Sequence, residues 1–180
     1  TYWYGCSRCD AISNTEFFVG STHGNHDFKN GTCSVCGESD PNAVTLTGKI
    51  FSLSFDDEIL VNFYFEAKNT GNAQHGMLVF YTHPGTADIA KADEMHDATL
   101  NPANNFYACT TDGIAAKQMG DTRYYAAYAK LSDGSIVYSP IYDYSPKKYA
   151  LTRLEKSTDD KMKALCVAML NYGAAAQRYF

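Results

Sequence analysis

Up to residue 43 aliphatic residues are sparse; from Val44 onward apolar runs of strand length recur between turn residues. VTLTGKIFSLSF (44–55) and EILVNFYFEAK (58–68) have the β-branched and aromatic content of strands and meet at a turn in FDDE. HGMLVFYTH (75–83) is a third strand, closed by Pro84-Gly85, and NFYACTT (105–111) is a further one. The polar stretch from Thr86 to Asn105 fits a short helix around Ile89 or a long loop, and GIAAKQMG (113–120) fits one or two helical turns. DTRYYAAYAKL (121–131) and SIVYSPIYDY (135–144) flank SDG, where Asp133-Gly134 predicts a hairpin with both central residues at positive φ.

The periodicity then turns helical. PKKYALTRLEKS (146–157) carries proline at a first-turn position, and Ser157 with Asp160 forms a capping-box-like opening for a last helix. Met162, Leu165, Cys166, Met169, Tyr172, Gly173 and Ala176 follow at helical spacing, a stripe expected to pack on one face of the sheet. The pattern predicts a mainly β fold with C-terminal helices (α+β). A small N-terminal zinc-ribbon-like unit (1–42) precedes an antiparallel β-sandwich-like domain (43–180).

That first unit has too little apolar content for a core and needs a staple. Cys6-x2-Cys9 and Cys33-x2-Cys36 are two knuckles whose four thiolates suit a tetrahedral ion, and Gly37 fits the tight turn after the second. The expected cofactor is one structural zinc. His26 can replace a cysteine or stand behind one, and disulfides cross-linking the knuckles are the alternative. A site closed by four thiolates leaves no position for a substrate, so no catalysis is expected there. Cys109 and Cys166 read as buried thiols, with a strand–helix disulfide as the alternative.

Charge narrows the partners. Net charge is −5 with no Lys/Arg cluster, which gives no grip on nucleic acid, and no apolar run is long enough to insert in a membrane. The chain begins at Thr1 and reads as a piece of something longer, with neighbouring domains as expected partners. No nucleophile elbow, phosphate loop or metalloprotease helix is present, and His75, His83 and His96 each read as standing alone. Without an acid–base pair the β domain reads as a binding module, not an enzyme.

Fourteen tyrosines supply its candidate chemistry. Tyr124, Tyr125, Tyr128, Tyr138 and Tyr142 fall on adjacent strands, with Tyr124 and Tyr128 on one face and Tyr125 on the other. One reading makes them an exposed platform for sugar rings or a protein anchor; the other buries one face under the helices.

KALCVAMLNYGAAAQRYF (163–180) resembles a terminal segment recurrent in large modular surface proteins of anaerobic gut Gram-positive bacteria. HDFKNGTCSVCGESDPN is similar to the short zinc-ribbon-like repeats those proteins carry, and VTLTGKIFSLSFDDEILVNFYFEA and TTDGIAAKQMGDT look like companion elements. The resemblance implies an extracellular, non-catalytic module, secreted or on the cell surface. Its expected ligand is a glycan or a host protein such as immunoglobulin, and a structural spacer or cap beside a catalytic domain is the alternative.

Overall fold

The computed structural model describes residues 27–29, 31–34, 37–55 and 58–180. The chain divides into two compact units, Thr1–Ala43 and Val44–Phe180. In the first, β1 (Phe28–Lys29) and β2 (Thr32–Cys33) pair antiparallel, with Phe28 opposite Cys33. Cys33 is buried; its amide donates to the Glu38 carbonyl at 2.7 Å and its carbonyl accepts from the Gly37 amide at 2.9 Å. Gly37 stands at φ +76°, so the backbone reverses just after the knuckle in a conformation that favours glycine. Cys6, Cys9, Cys36 and His26 lie outside the described residues, and Cys33 is the one member of the expected ligand set that is described.

The second unit is mainly β with two C-terminal helices. β3 (Thr45–Ser54), β4 (Leu60–Lys68), β7 (Thr99–Asn101) and β8 (Phe106–Thr110) form one antiparallel sheet in the order β3-β4-β8-β7. β5 (Gln74–Phe80), β6 (Glu94–Asp97), β9 (Arg123–Lys130) and β10 (Ile136–Tyr138) form the other, ordered β10-β9-β5-β6. β11 (Tyr142–Tyr144) also pairs with β9. Between the sheets, Val61, Phe63, Phe65 and Cys109 meet Met77, Val79, Tyr125, Ala127 and Ala129 in one core. Alternation along β4 sends every second side chain inward and explains the choice of residues there.

β5 and β9 are covered on both faces. Their outward residues Leu78, Phe80, Ala126 and Tyr128 lie under Ile89, Ala92, Tyr138 and Ile141. A 3-10 helix, Ile89–Lys91, is pinned there by the Ile89 amide donating to the Tyr138 hydroxyl at 3.1 Å. Gly76 is a packing requirement: a Cβ there would come 2.5 Å from the Tyr128 ring and 2.6 Å from the His96 carbonyl oxygen.

Several expectations are corrected. The stretch from Thr86 to Asn105 has the expected short helix at Ile89 but also contains β6 and β7; β6 went unseen because it turns Glu94 and His96 inward and Met95 outward, the reverse of an ordinary strand. At the β9–β10 hairpin only Gly134 has positive φ; Leu131 and Ser135 close a longer loop, with the Leu131 amide donating to the Ser135 carbonyl at 2.9 Å. SIVYSPIYDY is two strands because Pro140 has no amide to donate, and the Ser139 hydroxyl accepts from the Ala127 amide at 2.9 Å beside the break.

Helix α1 (Pro146–Lys156) is capped by Ser145, whose hydroxyl accepts from the Lys148 amide at 3.1 Å. Helix α2 (Asp160–Tyr179) is capped by Asp159, not by a Ser157–Asp160 box. The Asp159 carboxylate accepts from the Lys161 and Met162 amides at 2.9 and 3.3 Å, and Ser157 instead ends α1. α2 buries Cys166, Met169, Gly173 and Ala176, but not on a sheet face. They lie against α1 and the 3-10 helix Ala116–Gln118 through Ala150 and Met119, and Leu53 and Ile59 complete this third cluster. Leu165 and Tyr172 stay exposed. Cys109 and Cys166 belong to separate clusters and are free thiols, as the first of the two alternatives held. Burial pushes the Cys109 thiol up to about 12. Among the described residues no helix is long and apolar enough to cross a membrane.

Candidate functional site

The five tyrosines do not form one exposed platform. Tyr125 is wholly buried, as is most of Tyr128, because β9 is an inner strand covered on both faces. The expected alternation holds: Tyr125 faces the inter-sheet core, and Tyr124 and Tyr128 face the outer cluster. Tyr142 packs edge-on to Phe51, and its hydroxyl accepts from the Gly48 amide at 2.9 Å. Tyr138 is half-buried with its hydroxyl spent on Ile89. Tyr124, half-buried, keeps contact with an exposed group, the His83 ring at 4.9 Å edge to face. The Tyr125 hydroxyl is buried without a hydrogen-bond partner, and burial raises its pKa.

What the fold gathers instead lies at one end of the β5–β6–β9 sheet. Register sets Glu94 opposite Val79 and Phe80 opposite Tyr124, so Tyr81, Glu94 and Arg123 arrive together. Glu94 is the hub. One carboxylate oxygen accepts from the Tyr81 hydroxyl and from Arg123 Nη1 at 3.2 Å; the other lies 3.0 Å from His96 Nε2. The Arg123 guanidinium sits 4.8 Å from the Tyr81 ring centroid, and the Tyr81 amide donates to the Asp93 carboxylate at 2.7 Å. The hydrogen bond to Glu94, then burial, raises the Tyr81 pKa.

His96 therefore does not stand alone, contrary to the sequence reading. The signal was present in EMHD, whose i and i+2 positions share a strand face, but it pointed to an inward polar pair. Chemically the cluster is saturated. Both Glu94 oxygens are engaged, the Asp93 carboxylate is taken by a backbone amide, and the Asp97 carboxylate accepts from Gln74 Nε2 at 3.2 Å. Such an arrangement fixes an aromatic ring; it does not offer a free base beside a cleft.

Two depressions among the described residues lie away from this end of the sheet. One of about 400 Å³ is lined by Glu58, Ile59, Ile114 and Tyr172, the other of about 340 Å³ by Met119, Lys147, Leu151 and Leu170. Among the described residues no group of three or more His, Cys, Asp or Glu side chains is disposed to hold a metal.

His75 is a separate buried group, stacked on Tyr107 at 4.0 Å with Nε2 3.0 Å from the Thr70 hydroxyl. Burial lowers its pKa below the ordinary 6.5. The unfolded chain then takes up a proton first, so stability is full above pH 6.5 and falls as pH drops through the folded pKa. Urea titrations at pH 7.5 and 5 should show this loss, and His75→Phe should flatten it; equal slopes in both proteins would remove His75 as the cause.

No protein-family model matches the chain, and no curated protein matches it.

Proposed function

We propose that the protein is a non-catalytic extracellular binding module of a bacterial surface protein, and that Tyr81 presents the binding face to a glycan. The observation that carries this is the state of Tyr81. The residue is 50% exposed, while its hydroxyl is held by Glu94 and a guanidinium lies over the ring. A pyranose presents C–H faces to an aromatic ring, so a half-exposed ring held fixed by the groups behind it suits it. Because the ring is already ordered, little rotamer entropy is lost on binding. Tyr124 on the adjoining strand β9 and His83 in the loop after β5 continue the aromatic surface.

The test is an array of mucin and plant glycans probed with the 180-residue chain. Tyr81→Ala should weaken binding about tenfold or more with an unchanged melting curve, by the usual cost of losing a stacked anchor. A blank array, with capture of a host protein that persists after that protein is deglycosylated, would move the reading to protein recognition.

The first unit is proposed to be the zinc staple. Burial of Cys33 and the tight Gly37 turn behind it support a thiolate knuckle. Purified protein should carry about one zinc per chain and lose it in Cys33→Ser. Disulfides among the four cysteines in a non-reducing digest would overturn the metal.

A further inference from the structure

One surface has no part in the proposed glycan face. α2 carries two parallel stripes at alternating intervals of four and three residues. Met162, Cys166, Met169, Gly173 and Ala176 form the stripe turned to the protein. Lys161, Leu165, Ala168, Tyr172, Ala175 and Tyr179 form the second, and every one of them is exposed. Leu165 is 47% and Tyr172 62% accessible. A helix apolar on two stripes normally has neighbours on both, and this spacing is that of a helix–helix seam.

The order of residues in the outer stripe selects the occupant: we infer that it pairs antiparallel with the same stripe of a second copy of the chain. Aligned antiparallel about residue 170, Leu165 meets Ala175, Ala168 meets Tyr172, and Lys161 meets the ring of Tyr179. In the two central pairs a large side chain faces a small one, which lets two identical surfaces interdigitate. Each lysine meets an aromatic face. The acidic amino end, Asp159 and Asp160, comes near Arg178 of the other copy, and the two helix dipoles oppose. A parallel pair does the opposite: tyrosine crowds tyrosine, alanine leaves a gap on alanine, and Lys161 repels Lys161. The stripe contains both halves of its own complement, a property no unrelated partner would require.

The contact spans about five helical turns of one helix pair, small for a stable interface, so the dimer should dissociate on dilution. Sedimentation of the 180-residue chain across a concentration series should show a monomer–dimer equilibrium. Leu165→Glu and Tyr172→Glu, both on the exposed stripe, should each weaken it by more than about tenfold without altering the melting curve.

Orientation is read by cross-linking. Chains with Ala168→Cys should cross-link to chains with Tyr172→Cys, and neither to itself beyond the unsubstituted background. A chain monomeric at every concentration, or a dimer indifferent to both glutamates, overturns the inference. Self-linking of Ala168→Cys overturns the antiparallel arrangement. None of these outcomes bears on glycan binding through Tyr81, so the two readings fail separately.

Discussion

Phe63→Ala should cost about 4 kcal/mol of unfolding free energy, the range for removing a large buried ring. Phe63 is wholly buried and stacks on Phe51 at 4.6 Å, with Phe65 and Tyr142 each 5.7 Å away between centroids. The cavity cannot close easily. Phe51 is held on its other side by Tyr144 at 4.5 Å, and Tyr142 is tethered through its hydroxyl to the Gly48 amide. Neighbours that are pinned elsewhere relax little, and a site that relaxes little shows the upper part of the cavity cost. Against the 5–15 kcal/mol typical of a domain, such a loss leaves a protein near the edge of folding at 37 °C. Urea denaturation with an unchanged slope would measure it. A loss under about 1 kcal/mol would mean the inter-sheet core repacks freely.

Glu94→Ala should be nearly as damaging, about 3 kcal/mol, for an electrostatic reason. The Arg123 side chain is 9% exposed and Glu94 15%, so removing the carboxylate strands a guanidinium out of water. His96 and the Tyr81 hydroxyl lose their acceptor in the same step. The second substitution separates these effects: Arg123→Met added to Glu94→Ala removes the stranded charge and should restore much of the loss. If the double variant is no better than the single, the cost comes from Tyr81 and His96 and not from the buried cation.

These two residues also mark what could be read from the chain. Phe63 lies in a strand visible from its residues, because β4 puts its bulk on alternate positions. β3, β5, β8 and β9 were legible from β-branched and aromatic content between turn residues, although β5 and β9 are buried on both faces and do not alternate. Glu94 was not, since β6 directs polar groups inward and an apolar one outward. The tyrosines failed in a different way. Alternation assigned their faces correctly, but whether a face is covered depends on the segment 81–93, which reaches the sheet only through tertiary contacts such as Ile89 on Tyr138. The start of α1 at Pro146 was read correctly, while that of α2 was misread by a small margin: Ser157, Asp159 and Asp160 are all good capping residues, and the backbone selected Asp159. The outer stripe of α2 was partly in view, with Leu165 and Tyr172 merged into the buried one because both stripes share a heptad-like spacing.

The passage of the chain from β6 to β7 has a mechanical meaning. Ala98 is the single residue between them, anchored by its amide to the His75 carbonyl at 2.9 Å, and there the edge strand of one sheet becomes the edge strand of the other. The two sheets are bound along that side like the covers of a book at its spine. They can part only at the far side, where β3 and β10 are in contact. Leu53, on β3, is packed into the helical cluster, so α1 and α2 lie where a clasp would be placed. A load that strips the helices away would open the book from that side, with the spine the last part to yield.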